Sequence, residues 1–248
     1  TLTKTAYDVL SDLDPRPTLL APSFTYRLAG QQAWFRSFWA EQVDGAPVSD
    51  FVDVVSVHLY PADTGTPETS MQTLAGMQAD LQATGVDKPL WNTEINYGFS
   101  GLEVDPAPEL VQRANVARTL LLNASAGVGR VYWYALDQRA LVNTLLTSDG
   151  GQTPSAAGRT WAATQRLLLG RVVQACTREP AWWSCEVRGG DAAYRVYWTD
   201  QPFGVLTLPA GARAYGEVDR TARPVIGGTP VLLGPVPMVV RLGGAPAQ

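Results

Sequence analysis

The chain has 248 residues, 46% of them hydrophobic and 17% charged, with a formal net charge of −4. That is apolar material for one large domain or two ordinary ones, and it excludes a disordered chain. The acidic balance argues against nucleic acid as a partner, because phosphate contacts need a basic face, and no apolar run reaches the roughly 18 residues of a membrane span.

In chain order, residues 1–13 set Leu2, Ala6, Val9, Leu10 and Leu13 at helical spacing, and Asp14-Pro15-Arg16-Pro17 stops the helix. A short apolar run at 18–22 predicts a strand that gives way to Ser23, Phe24 and Tyr26. Residues 31–43 carry Trp34, Phe35, Phe38 and Trp39 on one side of a helix, and 44–50 read as a connection. The β-branched run at 52–58 predicts the second strand, ending in His58, Leu59 and Tyr60. After a loop at 61–65, Thr66 is a good N-cap with Pro67 in the first helical position. Met71, Leu74, Met77 and Leu81 then line one face as core, and Gly85 is the C-terminal cap.

The third strand lies in Lys88-Pro89-Leu90-Trp91-Asn92-Thr93-Glu94-Ile95-Asn96-Tyr97-Gly98. Proline is tolerated at the start of a strand. A glutamate ending an apolar strand is costly to bury unless something needs it there. A salt-bridged strand end is the plain reading of one such residue, and the other segments decide against it. A loop at 99–108 and a helix at 109–124 lead to a fourth strand at 130–135, which ends in Trp133 and Tyr134. Residues 136–153 form a loop with Asp137, Arg139 and Asp149, and Thr153-Pro154 opens a helix that stops at Leu169-Gly170.

Strands beginning near 18, 52, 88 and 130 with a helix in each gap predict βα units and a parallel sheet. Their near-continuous apolar character suits strands covered on both faces. Polar and aromatic residues gather at their C-terminal ends, where (β/α)8 barrels place active sites.

Helical periodicity stops after Gly170. Short strand-like runs at 186–187, 193–198, 204–208, 212–215, 231–233 and 238–242, separated by Gly- and Pro-bearing turns, predict an antiparallel sandwich. Cys176 and Cys185 flank Pro180-Ala181-Trp182-Trp183, a span that suits a disulfide closing a small loop; two buried free thiols are the other reading. A disulfide would imply an oxidising compartment, hence a secreted or cell-envelope protein. The chain opens on Thr1 rather than Met, which leaves room for a removed targeting segment. One histidine and two cysteines do not make a usual zinc site. No metal and no organic cofactor is expected.

Three segments together resemble a known family. Asp53-Val54-Val55-Ser56-Val57-His58-Leu59-Tyr60, then Pro89-Leu90-Trp91-Asn92-Thr93-Glu94, then Val131-Tyr132-Trp133-Tyr134 look like strands six, seven and eight of a clan A glycoside hydrolase barrel. Residues 18–22 would be strand five, and 1–13 the helix before it. The trailing β region is similar to the sandwich that follows the barrel in families like family 39. The resemblance covers essentially the whole chain. It implies an α/β fold: the second half (strands 5–8) of a (β/α)8 TIM barrel in residues 1–170, then an all-β sandwich domain in 171–248.

The resemblance makes Glu94 the catalytic nucleophile of a retaining hydrolase that acts on a glycoside, an oligosaccharide or a polysaccharide. His58 and Tyr60 would stand beside it, and a tyrosine hydroxyl there would hydrogen-bond the carboxylate and keep it ionised. Trp133 would be the platform for a sugar ring, with Asn96, Tyr97 and Tyr134 at the rim. Each of these residues has a purely structural role as its competing reading. Retaining hydrolysis needs a second carboxylate as acid/base. The family carries it after an asparagine at the end of strand four, whereas this chain contains no Asn-Glu dipeptide and begins at the helix after that strand. The expectation is therefore a second chain or fragment carrying strands 1–4, from a nicked precursor or a separate gene. The alternative is a non-catalytic carbohydrate-binding or pseudoenzyme subunit.

Overall fold

The computed structural model describes the chain apart from residues 63, 99–104, 138–140, 191 and 244–248, so Arg139 and the first six residues of the expected 99–108 loop lie outside the described residues. The chain is mixed α/β and forms two compact units, one of Thr1–Tyr97 with Gly127–Tyr134 and the other of Gly98–Ala126 with Ala135–Gln248.

The first unit begins with α1 (Leu2–Ser11), α2 (Ala29–Trp39), a hairpin of β1 (Gln42–Val43) and β2 (Ala46–Pro47), and a 3-10 turn. Then come β3 (Val55–His58), α3 (Pro67–Ala83) and β4 (Leu90–Ile95). The chain passes through α4 (Glu109–Ser125), which belongs to the second unit, and returns as β5 (Val128–Trp133). The strands β3, β4 and β5 form a parallel sheet with β4 in the middle. Helix α3 starts where the sequence says it should. The Thr66 hydroxyl accepts from the Thr69 amide, Pro67 occupies the first turn, and Gly85 takes the left-handed conformation (φ +70°) that ends the helix.

Residues 18–22 run parallel beside β3 but make only isolated bridges, Leu20 with Val54 and Phe24 with Val57. The Ala21 amide donates to the Val54 carbonyl at 2.9 Å and the Phe24 amide to Ser56 at 3.1 Å. Between them stands Pro22, which has no N–H to give, and this breaks the ladder. Phe24 is fully buried, 4.9 Å from the ring of Phe35 and 5.1 Å from that of Phe38. The hairpin β1–β2 replaces what the sequence suggested was the end of a helix and a connection. Its two-residue loop is Asp44-Gly45, both at positive φ (52° and 84°), the geometry that the strand twist demands of such a tight turn.

The second unit holds α4, α5 (Ala156–Leu168), and the strands β6 (Val172–Val173), β7 (Thr177–Arg178), β8 (Trp183–Arg188), β9 (Tyr194–Trp198), β10 (Gly204–Thr207), β11 (Ala212–Glu217), β12 (Arg223–Pro224), β13 (Pro230–Leu233) and β14 (Met238–Leu242). Helix α5 is capped by the Ser155 hydroxyl, two residues beyond the Thr153-Pro154 start expected. Among the described residues the strands form two antiparallel sheets, one of seven strands in the order β12-β11-β14-β9-β8-β6 with β7 also on β8, and one of β10 and β13. Leu206, Leu208, Val231 and Leu233 share a core with Tyr197, Ala212, Met238 and Val240, so alternate residues of both sheets face each other. Helix α4 is buried on nearly every side, with Arg113 and Arg118 inside. The Arg118 guanidinium donates to the backbone carbonyls of Pro235 and Thr199, both at 2.8 Å.

Cys176 and Cys185 are joined in a disulfide, and among the described residues no free cysteine exists. Thiol counting on the unfolded, unreduced protein should find none. Closing so short a loop removes unfolded-state entropy worth about 2–3 kcal/mol. Reductant should therefore lower the urea midpoint of the second unit; an unchanged midpoint with both thiols free would contradict this. Among the described residues no helix is long and apolar enough to cross a membrane.

Candidate active site

Glu94 sits at the C-terminal end of β4, the middle strand of the parallel sheet. Simple alternation would put it on the face of Asn92, which is fully buried. A bulge prevents this. Val57 pairs with Asn92 but His58 pairs with Glu94, and on the other side Asn92 pairs with Val131 but Ile95 with Trp133. Thr93 is thus the extra residue against both neighbours, and it turns Glu94 onto the face that also carries Ser56 and Trp91. Re-aiming a side chain is a common use of a bulge beside a site. Ile95, next in line, returns to the covered side and is fully buried.

Two predicted neighbours stand against the carboxylate. The Tyr60 hydroxyl donates to Glu94 Oε1 at 2.6 Å, a short charge-assisted bond. Burial first, then the bond to Glu94 and its charge, hold the Tyr60 phenol far above its ordinary range, with Tyr134 adding in the same direction. Tyr60 therefore stays a donor at any pH the protein meets. His58 Nε2 stands 3.6 Å from Glu94 Oε2, too long for a hydrogen bond. Burial holds this imidazole below its ordinary range, against the pull of the carboxylate.

The backbone holds this arrangement in place. The Leu59 amide donates to the Glu94 carbonyl at 3.2 Å, and the Tyr134 amide to that of Ile95 at 3.1 Å. Asn96 is fully buried; its amide nitrogen donates to the Tyr134 carbonyl at 2.6 Å, and its side-chain oxygen accepts from the Tyr97 amide at 2.7 Å. It braces the end of β5 against the loop after β4. Tyr97 is 2% exposed and lies 6.0 Å, ring to ring, from Trp133.

Trp133, expected to be the sugar platform, is set by the ladder beside Ile95 and against Tyr97, on the face away from Glu94. The reason is alternation along β5. Arg130 pairs with Trp91 on the Glu94 face, so Tyr132 and Tyr134 follow it there and Trp133 does not. The aromatic side chain at the end of β5 on the Glu94 side is Tyr134. The sequence reading also passed over a hydroxyl cluster below Glu94. Ser56 Oγ lies 2.9 Å from Ser23 Oγ and 2.6 Å from Thr93 Oγ1, and Thr93 also donates to the Val57 carbonyl at 3.3 Å. Serine inside an otherwise β-branched run was the signal available for it.

No family model matches the chain, and no curated protein does. Solved structures do. A family 39 glycoside hydrolase from the gut symbiont Bacteroides cellulosilyticus WH2 superposes with a TM-score of 0.61 at 19% identity, over 79% of this chain and 45% of its own. A GH30 endoxylanase from Clostridium papyrosolvens C71 gives 0.57 at 13%, over 98% of this chain and 61% of its own. The chain has the fold of part of these two glycoside hydrolases. A conserved exported protein from Bacteroides fragilis shares it, with a TM-score of 0.60 at 13% identity, over 97% of this chain and 60% of its own. This chain thus spans about half to three fifths of the length of the glycoside hydrolases and the exported protein it resembles.

Proposed function

We propose that the chain is the nucleophile-bearing part of a retaining glycosidase. The observation that carries this is the short Tyr60–Glu94 bond at the C-terminal end of the central parallel strand. One carboxylate oxygen is held by the Tyr60 hydroxyl, which fixes the group's orientation, while the other lies 3.6 Å from His58 Nε2. In this reading Glu94 attacks the anomeric carbon, the glycosidic bond breaks, and a glycosyl ester forms. An acid/base carboxyl outside this chain protonates the departing oxygen, then takes a proton from the water that cleaves the ester. That second carboxyl should lie about 5–5.5 Å from Glu94, whereas about 6.5–9.5 Å would make Glu94 the base of an inverting enzyme.

In this reading residues 1–170 supply strands five to eight of the barrel and 171–248 a β-sandwich that follows them in the chain. The other strands come from polypeptide outside this sequence. The coverage of 45% to 61% of the neighbours' length and a β5 edge with no further strand beside it among the described residues support that reading. His58 and Tyr134 flank the sugar site, Asn96 shapes it by holding the Tyr134 carbonyl, and Trp133 backs it. The substrate is a glycoside, oligosaccharide or polysaccharide, and the disulfide supports export.

A panel of aryl glycosides given to the complete protein tests the proposal. Turnover of at least one is expected; binding of sugars with no turnover of any would favour a non-catalytic subunit. Tyr60→Phe removes one hydrogen bond to a charged group, worth about 1.5–3 kcal/mol. It should lower kcat/KM by roughly 10- to 100-fold, and an unchanged value would remove Tyr60 from the mechanism.

A further inference from the structure

In a regular strand neighbouring side chains point to opposite faces. Thr93 and Glu94 do not. Asn92 before them and Ile95 after them are fully buried on the covered side, while the Thr93 hydroxyl meets Ser56 on the face to which Glu94 is turned. The place of the bulge along β4 therefore decides which side chain reaches the Tyr60 hydroxyl, because a slip of one residue exchanges the faces.

The hydroxyls below Glu94 form a chain with one direction. Thr93 Oγ1 lies 3.3 Å from the Val57 carbonyl, which can only accept, so the Thr93 proton goes there. Ser56 then donates across its 2.6 Å contact with Thr93, and Ser23 donates across its 2.9 Å contact with Ser56. Ser56 is fully buried and has no water to turn to, and this order gives its proton an acceptor. The chain starts at the exposed Ser23, crosses β3 to β4, and returns to β3 at Val57. That is where the register changes: Val57 pairs with Asn92 and His58 with Glu94. The bulged residue is thus pinned by its own side chain to the carbonyl at which the bulge begins.

We propose that Thr93 is a positioning residue for Glu94: through the Ser23–Ser56–Thr93 hydroxyl chain it fixes the bulge and so aims the carboxylate at Tyr60 and at the reacting carbon. Its effect on turnover rests on the nucleophile reading above; its effect on the aim of Glu94 does not. A threonine kept only for its strand-forming shape is the competing account, and it ranks the substitutions in the opposite order. Valine keeps the branched shape that suits a strand and loses the hydroxyl, whereas serine keeps the hydroxyl and loses the branch.

The test uses the complete protein and an aryl glycoside that it turns over. Thr93→Val should lower kcat roughly 10- to 100-fold, the loss that a displacement of about 1 Å produces, with KM within about twofold. Thr93→Ser should stay within about threefold of the native kcat. The reverse order, valine near native and serine impaired, would overturn the proposal. Crystal structures of the variants read the aim without turnover. The 2.6 Å Tyr60–Glu94 contact should open beyond hydrogen-bond range in Thr93→Val and persist in Thr93→Ser. An unchanged contact in Thr93→Val would overturn the proposal. If Thr93→Val does not fold, Ser56→Ala removes the hydroxyl that holds Thr93 from β3, and the same losses are expected of it. The route through Glu94 is tested by removing the carboxylate. Glu94→Gly should lose turnover and regain part of it with azide, which bonds to the anomeric carbon as the aryl oxide leaves. Adding Thr93→Val should leave that azide-supported rate within about twofold, since no carboxylate remains to be aimed; a further loss of roughly 10-fold would show that Thr93 acts elsewhere. Turnover of Glu94→Gly without azide would instead remove Glu94 as the nucleophile, and the crystallographic contact would then decide alone whether Thr93 aims it.

Discussion

Glu94→Gln should lose about 10³-fold or more in turnover in the complete protein while folding normally, because positioning alone cannot replace a nucleophile. The change is close to isosteric. The amide oxygen can still accept from Tyr60, so the 2.6 Å contact that fixes the side chain survives. What disappears is the anionic oxygen that must bond to the anomeric carbon. The loss should fall on kcat and kcat/KM together, with near-ultraviolet circular dichroism and the urea midpoint unchanged. Near-normal turnover in this variant would remove Glu94 from the chemistry.

Arg113→Met should destabilise the second unit by about 3–5 kcal/mol, the cost of breaking a buried ion pair from one side. Arg113 donates to Asp219 at 2.6 and 2.8 Å and to Glu217 at 2.5 Å, and Thr160 adds its hydroxyl to Asp219. The side chains of Arg113 and Asp219 are only 6% and 9% exposed, so neither can fall back on water, whereas Glu217 at 33% can. Replacing Asp219 by Leu in the same variant should recover a large part of the loss, since the orphaned charge is then gone. A loss under about 1 kcal/mol would mean that water reaches the pair.

The same group sets a pH dependence. Burial pushes the Asp219 carboxyl up, but the bonds from Arg113 and Thr160 outweigh it and hold the carboxyl below its ordinary 3.8. A depressed carboxyl stabilises the fold above the unfolded value and loses that contribution as pH falls through the folded one. Urea midpoints should therefore drop as pH goes below about 4, and Arg113→Met should flatten that slope.

The sheet strands and Glu94 with its two neighbours were readable from residues alone because each apolar run ends in a different chemistry. His58, Tyr60 and Glu94 close their strands, and a parallel sheet brings such ends together. The bulge at Thr93 was not readable. It depends on the register between strands whose sequences lie more than thirty residues apart, and a period-2 pattern carries no register. The same gap misled the reading of Trp133, whose face is decided by the count of residues from Arg130, not by its aromatic character. The β1–β2 hairpin was within reach through Asp44-Gly45, a tight-turn pair hidden by the helix-like aromatics before it. Helix α4 sits in the second unit because Arg113 and Arg118 find partners about a hundred residues later, a pairing that local periodicity cannot express.

The most direct test of the central claim is to trap the glycosyl ester. A 2-deoxy-2-fluoro glycoside with a good leaving group, in the sugar configuration the aryl panel selects, should inactivate the complete protein. The electron-withdrawing fluorine slows both steps, and the leaving group spares the first, so the ester accumulates. Mass spectrometry of the digested protein should find one sugar added to the peptide that contains Glu94, and none in Glu94→Gln. A label on a different carboxylate, or turnover that continues with no label at all, would contradict the account.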